Sequence, residues 1–154
     1  MRGRLESAVE VAVPADVLWR YVTDWPRQRE WVPLTRVERV DAADGLGGRI
    51  RAWTGVGPVG FWDPMTITTW ERDADGSGRC EVLHRGGVVR GEGQFTVAAL
   101  GGAASRFVWA ETVVVPGGRL GGWAWRFVRP LIESVVTRGL ATLKLHVEAE
   151  QGRS

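Results

Sequence analysis

Between residues 34 and 115 the chain offers six strand-like segments in a row: 34–41, 48–54, 61–72, 79–85, 88–98 and 105–115. Glycine punctuates the gaps, at Asp44-Gly45, Gly55 to Gly60, Asp75-Gly76 to Gly78, Gly86-Gly87 and Gly101-Gly102. Such residues accept positive φ and so close tight turns. Links this short join strands antiparallel, because a parallel pair needs a long crossover. The segment predicts a meander. A meander has an apolar face that another element must cover.

Residues 4–13 alternate in the same way, with Leu5, Ser7, Val9, Val11 and Val13 on one face and Glu6 and Glu10 on the other, so they supply a seventh strand. Pro14 and Ala15-Asp16 open a short helix, with Val17, Leu18, Tyr21 and Val22 as its stripe. Trp25-Pro26 ends it, and a second short helical piece runs from Arg27 to Trp31. Residues 119–150 are amphipathic: Arg126, Arg129, Glu133, Lys144 and Glu148 share one stripe, and Phe127, Leu131, Ile132, Val135, Leu143 and Val147 the other. Pro130 predicts a kink or a later start, and Gly139 weakens the middle. This helix is the only element long enough to lie across the sheet. The expected fold is α+β: a seven-stranded curved antiparallel sheet wrapped around a long C-terminal helix. Two short helices follow the first strand, and a cavity lies between sheet and helix. One domain is expected over residues 1–154.

Composition narrows the function classes. The formal charge is only +2, and nearly every basic residue is arginine, Lys144 being the only lysine. No run of like charges forms a phosphate-tracking patch, so no nucleic-acid partner is expected. Cys80 is the only cysteine, which rules out an internal disulfide. No stretch approaches the ~18 apolar residues of a membrane span. Residues 1–13 carry no signal-peptide segment. A cytoplasmic domain, monomeric or homodimeric, is expected.

The chain resembles the START-like, helix-grip superfamily, which includes the birch-pollen-allergen fold and the polyketide cyclase/dehydrase and lipid-transport group. The resemblance is carried by the opening strand, by VPADVLWRYVTDWPRQREWVP (Val13 to Pro33), by GEGQFTV and SRFVWAETVVVP, and by the terminal helix. It spans nearly the whole chain. It implies the fold above and a hydrophobic or aromatic small-molecule ligand, lipid- or polyketide-like. It does not choose between a carrier and an aromatase/cyclase, since fold does not fix function.

The residues give the site more detail. In FVWAETVVVP, Phe107, Trp109, Val113 and Val115 alternate on one face, and Glu111 interrupts it. Pairing through the Leu100–Ala104 turn places Glu111 opposite Gly93, on a face shared with Gly91, Phe95 and Val97. That arrangement predicts room for a ligand beside the carboxylate. A carboxylate buried in an apolar face must be hydrogen-bonded, paired or protonated. It can then serve as polar anchor or acid/base group. His84 shares a face with Cys80 and Val82, two strands from Glu111. That separation argues against a direct hydrogen bond but lets both touch one ligand. Arg49, Arg51 and Arg90 are candidate partners for Glu111, although solvated surface positions suit them better. Asp63 raises the same question of face, before Pro64 and an expected bulge.

The candidate catalytic pair is therefore Glu111 and His84. The candidate lining is Trp109, Phe107, Phe95, Gly93 and Val82 from the sheet, Leu131 and Val135 from the helix, and Arg90. No metal or cofactor is expected. Cys80, His84 and Glu111 do not form a recognised ligand set. Gly55 to Gly60 fits GxGxxG, but a strand follows it where a dinucleotide site needs a helix. Ser105 and Ser134 have no visible His/Asp arrangement. Leu120, Trp123, Trp125 and Phe127, near Arg119, Arg126 and Arg129, would suit transient contact with an anionic membrane surface, without stable insertion.

Two function classes follow. A carrier or receptor would use Glu111 as a polar anchor. An aromatase/cyclase-dehydratase would use Glu111 or His84 to move protons. A third class, a protein-interaction module, predicts a filled core.

Overall fold

A computed structural model describes residues 1–154. The strands are β1 (Arg2–Val11), β2 (Thr35–Arg39), β3 (Arg49–Val56), β4 (Val59–Arg72), β5 (Gly78–Arg85), β6 (Arg90–Ala99) and β7 (Ser105–Val114). Helix α1 (Ala15–Val22) and a 3-10 helix (Trp25–Glu30) follow β1, and α2 (Gly118–Gln151) closes the chain. The strands form one antiparallel sheet in the order β1-β7-β6-β5-β4-β3-β2, so the only non-sequential pairing joins β1 to β7. This is the expected α+β, helix-grip arrangement.

Every strand is amphipathic, and the register aligns the apolar positions on one face. Leu5, Phe107, Val97, Cys80, Ile67 and Ile50 are buried there, while the neighbours of Ile50, Arg49 and Arg51, point outward. Arg49 pairs with Asp41, and Arg51 pairs with Glu38 and lies over the Trp62 ring. Pro64 is accommodated without a bulge. The irregularity comes later, between Ile67 and Thr69.

Helix α2 is continuous through Pro130. Its buried residues, Gly139, Leu140, Leu143 and Val147, all lie in its second half. It packs chiefly along β1. The first half is held by Trp125, which sits on the backbone of Gly3 where no side chain intervenes.

Tryptophans fill most of the concave face. Trp31 is buried edge-on to Phe107 and Trp109, with ring centroids 5.7 Å away in both cases, and 6.0 Å from Phe95. Trp19 and Trp25 pack against Trp70 beside it. The gap between β1, β7 and α2 beside Trp109 and Glu111 is about 10 Å³, far smaller than the ligand-sized space the sequence suggests there.

Candidate functional site

One polar cluster breaks the concave face. Glu111 lies opposite Leu5 of β1 on one side and Gly93 of β6 on the other. Val82 faces Gly93, and His84 faces Gly91 and Met65. Asp63 stands opposite Ala52 on the same face. His84 Nδ1 is 2.7 Å from Asp63 Oδ2, and His84 Nε2 is 3.0 Å from Glu111 Oε2. The Trp109 indole donates to Glu111 Oε1 at 2.7 Å. A chain Asp63–His84–Glu111–Trp109 thus crosses β4, β5 and β7.

The separation of His84 and Glu111 by an intervening strand is bridged directly, and Gly93 is the reason. A Cβ on Gly93 would lie 2.9 Å from Glu111 Oε1, 3.0 Å from Val82 and 3.1 Å from Glu111 Oε2. The room beside Glu111 therefore holds its own carboxylate, lying across β6, and is not left open for a ligand. Gly91 plays the neighbouring part: it has φ 138°, and its missing Cβ would overlap the Thr112 carbonyl.

His84 and Asp63 are buried, and the Glu111 side chain retains 19% exposure. Burial is the largest single influence on His84 and favours the neutral ring. The hydrogen bonds and charges of Asp63 and Glu111 together outweigh it and raise the imidazole to about 10, from an ordinary 6.5. At neutral pH the ring is an imidazolium that donates to both carboxylates. Asp63 Oδ1 is buried without a partner. Cys80 belongs to the core, its thiol pushed up to about 12 by burial and then by Glu81. No group of three His, Cys, Asp or Glu side chains is arranged so as to hold a metal ion: in the Asp63–His84–Glu111 chain the imidazole lies between the two carboxylates and engages both with its ring nitrogens.

The structure sorts the other expected site residues. Trp109, Phe107, Phe95 and Val82 form the wall beside Glu111. Arg90 does not reach it: opposite Arg85, one residue before inward-facing Gly91, it points outward. Leu131 and Val135 lie on an exposed side of α2. The helix residues beside Trp109 and Glu111 are Glu133 and Val136. A hollow of about 350 Å³ lies on the outer face, lined by Arg2, Leu83, Arg85, Arg90, Glu92 and Thr112, and touches His84 and Gly91. Asp63 is the residue the sequence reading did not place. Its signal is the one that exposed Glu111: an acid in a period-2 run, here Phe61, Asp63, Met65, Ile67.

The seven-stranded antiparallel sheet and long C-terminal helix define a START-like protein of the helix-grip class. The chain belongs to the polyketide cyclase/dehydrase and lipid transport family, whose sequence model matches residues 2–148. No curated protein matches it. Among solved structures it is similar to TTHA0849 from Thermus thermophilus, with 20% identity, TM-score 0.76, and 96% and 99% of the two chains covered. It is also similar to the Zhui aromatase/cyclase from Streptomyces sp. R1128, with 20% identity, TM-score 0.67, and 99% and 95% covered. The di-domain aromatase/cyclase BexL of the BE-7585A biosynthetic pathway matches at 21% identity and TM-score 0.65. There 95% of this chain spans 46% of the other. At these identities the likeness shows the fold.

Proposed function

We propose that the protein binds a small, flat, apolar molecule carrying a hydroxyl or carbonyl group, between the aromatic wall of the sheet and the first half of α2. The observation that carries this reading is the Asp63–His84–Glu111 chain, set into an otherwise apolar wall with the Glu111 carboxylate still partly exposed. Trp109, Phe95 and Val82 supply the apolar contact, and Phe107 backs them. Glu111 keeps free lone pairs for a ligand hydroxyl. The 10 Å³ gap requires the first half of α2 to draw back on binding. The distribution of buried residues along α2 supports this, since none precedes Gly139. Pro130, which removes one helical hydrogen bond, marks where that half can bend. A filled interior also suits an interaction module, but such a module has no need of a buried charge chain.

Native mass spectrometry of the protein as purified, compared with Glu111→Gln, tests the proposal. A co-purified apolar ligand on the parent, weakened or lost in the variant, is the expected result. Ligand-free protein whose affinity for a panel of aromatic and acyl compounds is unchanged by Glu111→Gln overturns it.

A second reading, an aromatase/cyclase-dehydratase, draws on the imidazolium. Glu111 would take the proton from a carbon between two carbonyls, that carbon would attack a distant carbonyl carbon, and His84 would protonate the oxygen formed. In that case Glu111→Gln abolishes turnover of a poly-β-keto thioester analogue and leaves its binding intact.

A further inference from the structure

The antiparallel order sends three links to one end of the molecule: Gly57-Pro58 between β3 and β4, Gly86–Val89 between β5 and β6, and Val115–Gly117 between β7 and α2. Not one residue of these links is charged. The links at the opposite end contain Asp41, Asp44, Asp73 and Asp75 and no basic residue. Apolar side chains at the uncharged end stand in solvent. Val56, Val59 and Val88 are exposed on the hairpins, and on α2 Leu120 is 80%, Trp123 63% and Phe127 62% exposed. The three α2 residues follow i, i+3, i+7 spacing and so share one stripe. Trp123 and Phe127 pack edge to face at 4.9 Å, so the stripe forms a continuous aromatic ridge.

Arginines surround this apolar end. Arg2 opens β1, Arg119 is the second residue of α2, and Arg85 and Arg90 flank the β5–β6 hairpin. All four are exposed and none is in an ion pair. From Gly118 to Ile132, α2 carries Arg119, Arg126 and Arg129 and no acid; Arg129 pairs with Glu133 just beyond, while Arg119 and Arg126 have no carboxylate partner. With a formal charge of only +2 for the whole chain, this is a local asymmetry and not a general basicity. Exposed Trp, Phe and Leu flanked by Arg2, Arg85, Arg90, Arg119 and Arg126, none of them ion-paired, match a bilayer interface with anionic headgroups, where aromatic rings sit at headgroup depth and guanidinium groups meet phosphate. A second copy of the chain would bring these unpaired arginines together, which like-charge repulsion opposes.

We propose that this end of the molecule, the hairpin tips together with the first half of α2, docks on an anionic lipid surface. The contact is peripheral, since no helix is long and apolar enough to cross a membrane.

Co-sedimentation with vesicles tests this, using pure phosphatidylcholine against an equal mixture with phosphatidylglycerol. Binding to the mixed vesicles alone, reversed by high salt, is expected. Arg90→Gln and Arg119→Gln should each lower the partition about fivefold. Trp123→Glu should abolish binding without changing the far-ultraviolet circular dichroism. Leu120→Glu, at the most exposed position, serves if Trp123→Glu disturbs the fold. Absence of binding to either vesicle overturns the proposal, as does equal, salt-insensitive binding to both. So does light scattering that shows a dimer broken by Trp123→Glu with vesicle binding unchanged, since a second copy would then be the occupant.

Discussion

Glu111 meets His84 over Gly93: the carboxylate of one strand and the imidazole of another join above a residue that has no side chain. The contact depends on that absence. It converts two isolated ionisable groups on an apolar face into a chain of hydrogen-bonded charges ending at Asp63.

Gly93→Ala should break the chain without touching a charged group. Its Cβ would fall 2.9 Å from Glu111 Oε1, and the crowding should cost about 1–3 kcal/mol in denaturant unfolding. Displacing Glu111 removes one of the two carboxylates that raise His84. The His84 pKa, followed by NMR titration, should therefore fall. An unchanged His84 titration would mean that Glu111 contributes little to holding the imidazolium.

The raised His84 pKa sets a direction for stability against pH. The folded imidazole sits at about 10 and the unfolded one near 6.5. Its contribution is fully present below the unfolded value and disappears as pH rises through the folded value. Unfolding free energy should thus decline between about pH 6.5 and 10, and this slope should be absent in His84→Gln. A parent and variant with parallel pH profiles would contradict the assignment.

Removing the imidazole alone should be costly. His84→Leu leaves Asp63 buried with neither oxygen partnered, which should destabilise by about 3–5 kcal/mol. Adding Asp63→Asn to the same chain should recover part of that loss, because the buried charge is removed and only the partly exposed Glu111 carboxylate is left without its imidazole. Additive effects in the double-mutant cycle would show that the two groups are not coupled.

Trp31→Ala should open the interior. The ring is buried against Phe95, Phe107 and Trp109, so its loss should cost about 3–5 kcal/mol. Added indole should raise the melting temperature of the variant and leave the parent unaffected. A variant that collapses around the gap would show no response to indole.

The strands were legible because the turns are marked by glycine and the faces alternate cleanly. The pairing of Glu111 with Gly93 follows from counting residues back through the Leu100–Ala104 turn, whose hydrogen bond joins those two residues. The bond between His84 and Glu111 was not legible. Strand order puts β6 between them, and alternation does not reveal a carboxylate that folds across a bare backbone. Asp63 was obscured by Pro64 and by the irregularity after Ile67, which shifts the inward position to Trp70. The outward side of Arg90 could be read, since Gly91, Gly93 and Phe95 fix the parity of β6. The narrow interior could not, because whether nine tryptophans fill a space or line it depends on packing in three dimensions.

Two of the first four residues of β6 are glycine, and a strand so bare gives its neighbours little by which to recognise alignment. The carboxylate lying over Gly93 supplies what the strand lacks. A two-residue slip one way would drive Phe95 into the path of Glu111. The same slip the other way would pull Phe95 off Trp109 and bring Gly91, whose backbone has φ 138°, opposite Glu111. The charged link thus also bears on assembly of the sheet: the native alignment of β6 lets its two neighbours join above Gly93 while Phe95 keeps its place against Trp109.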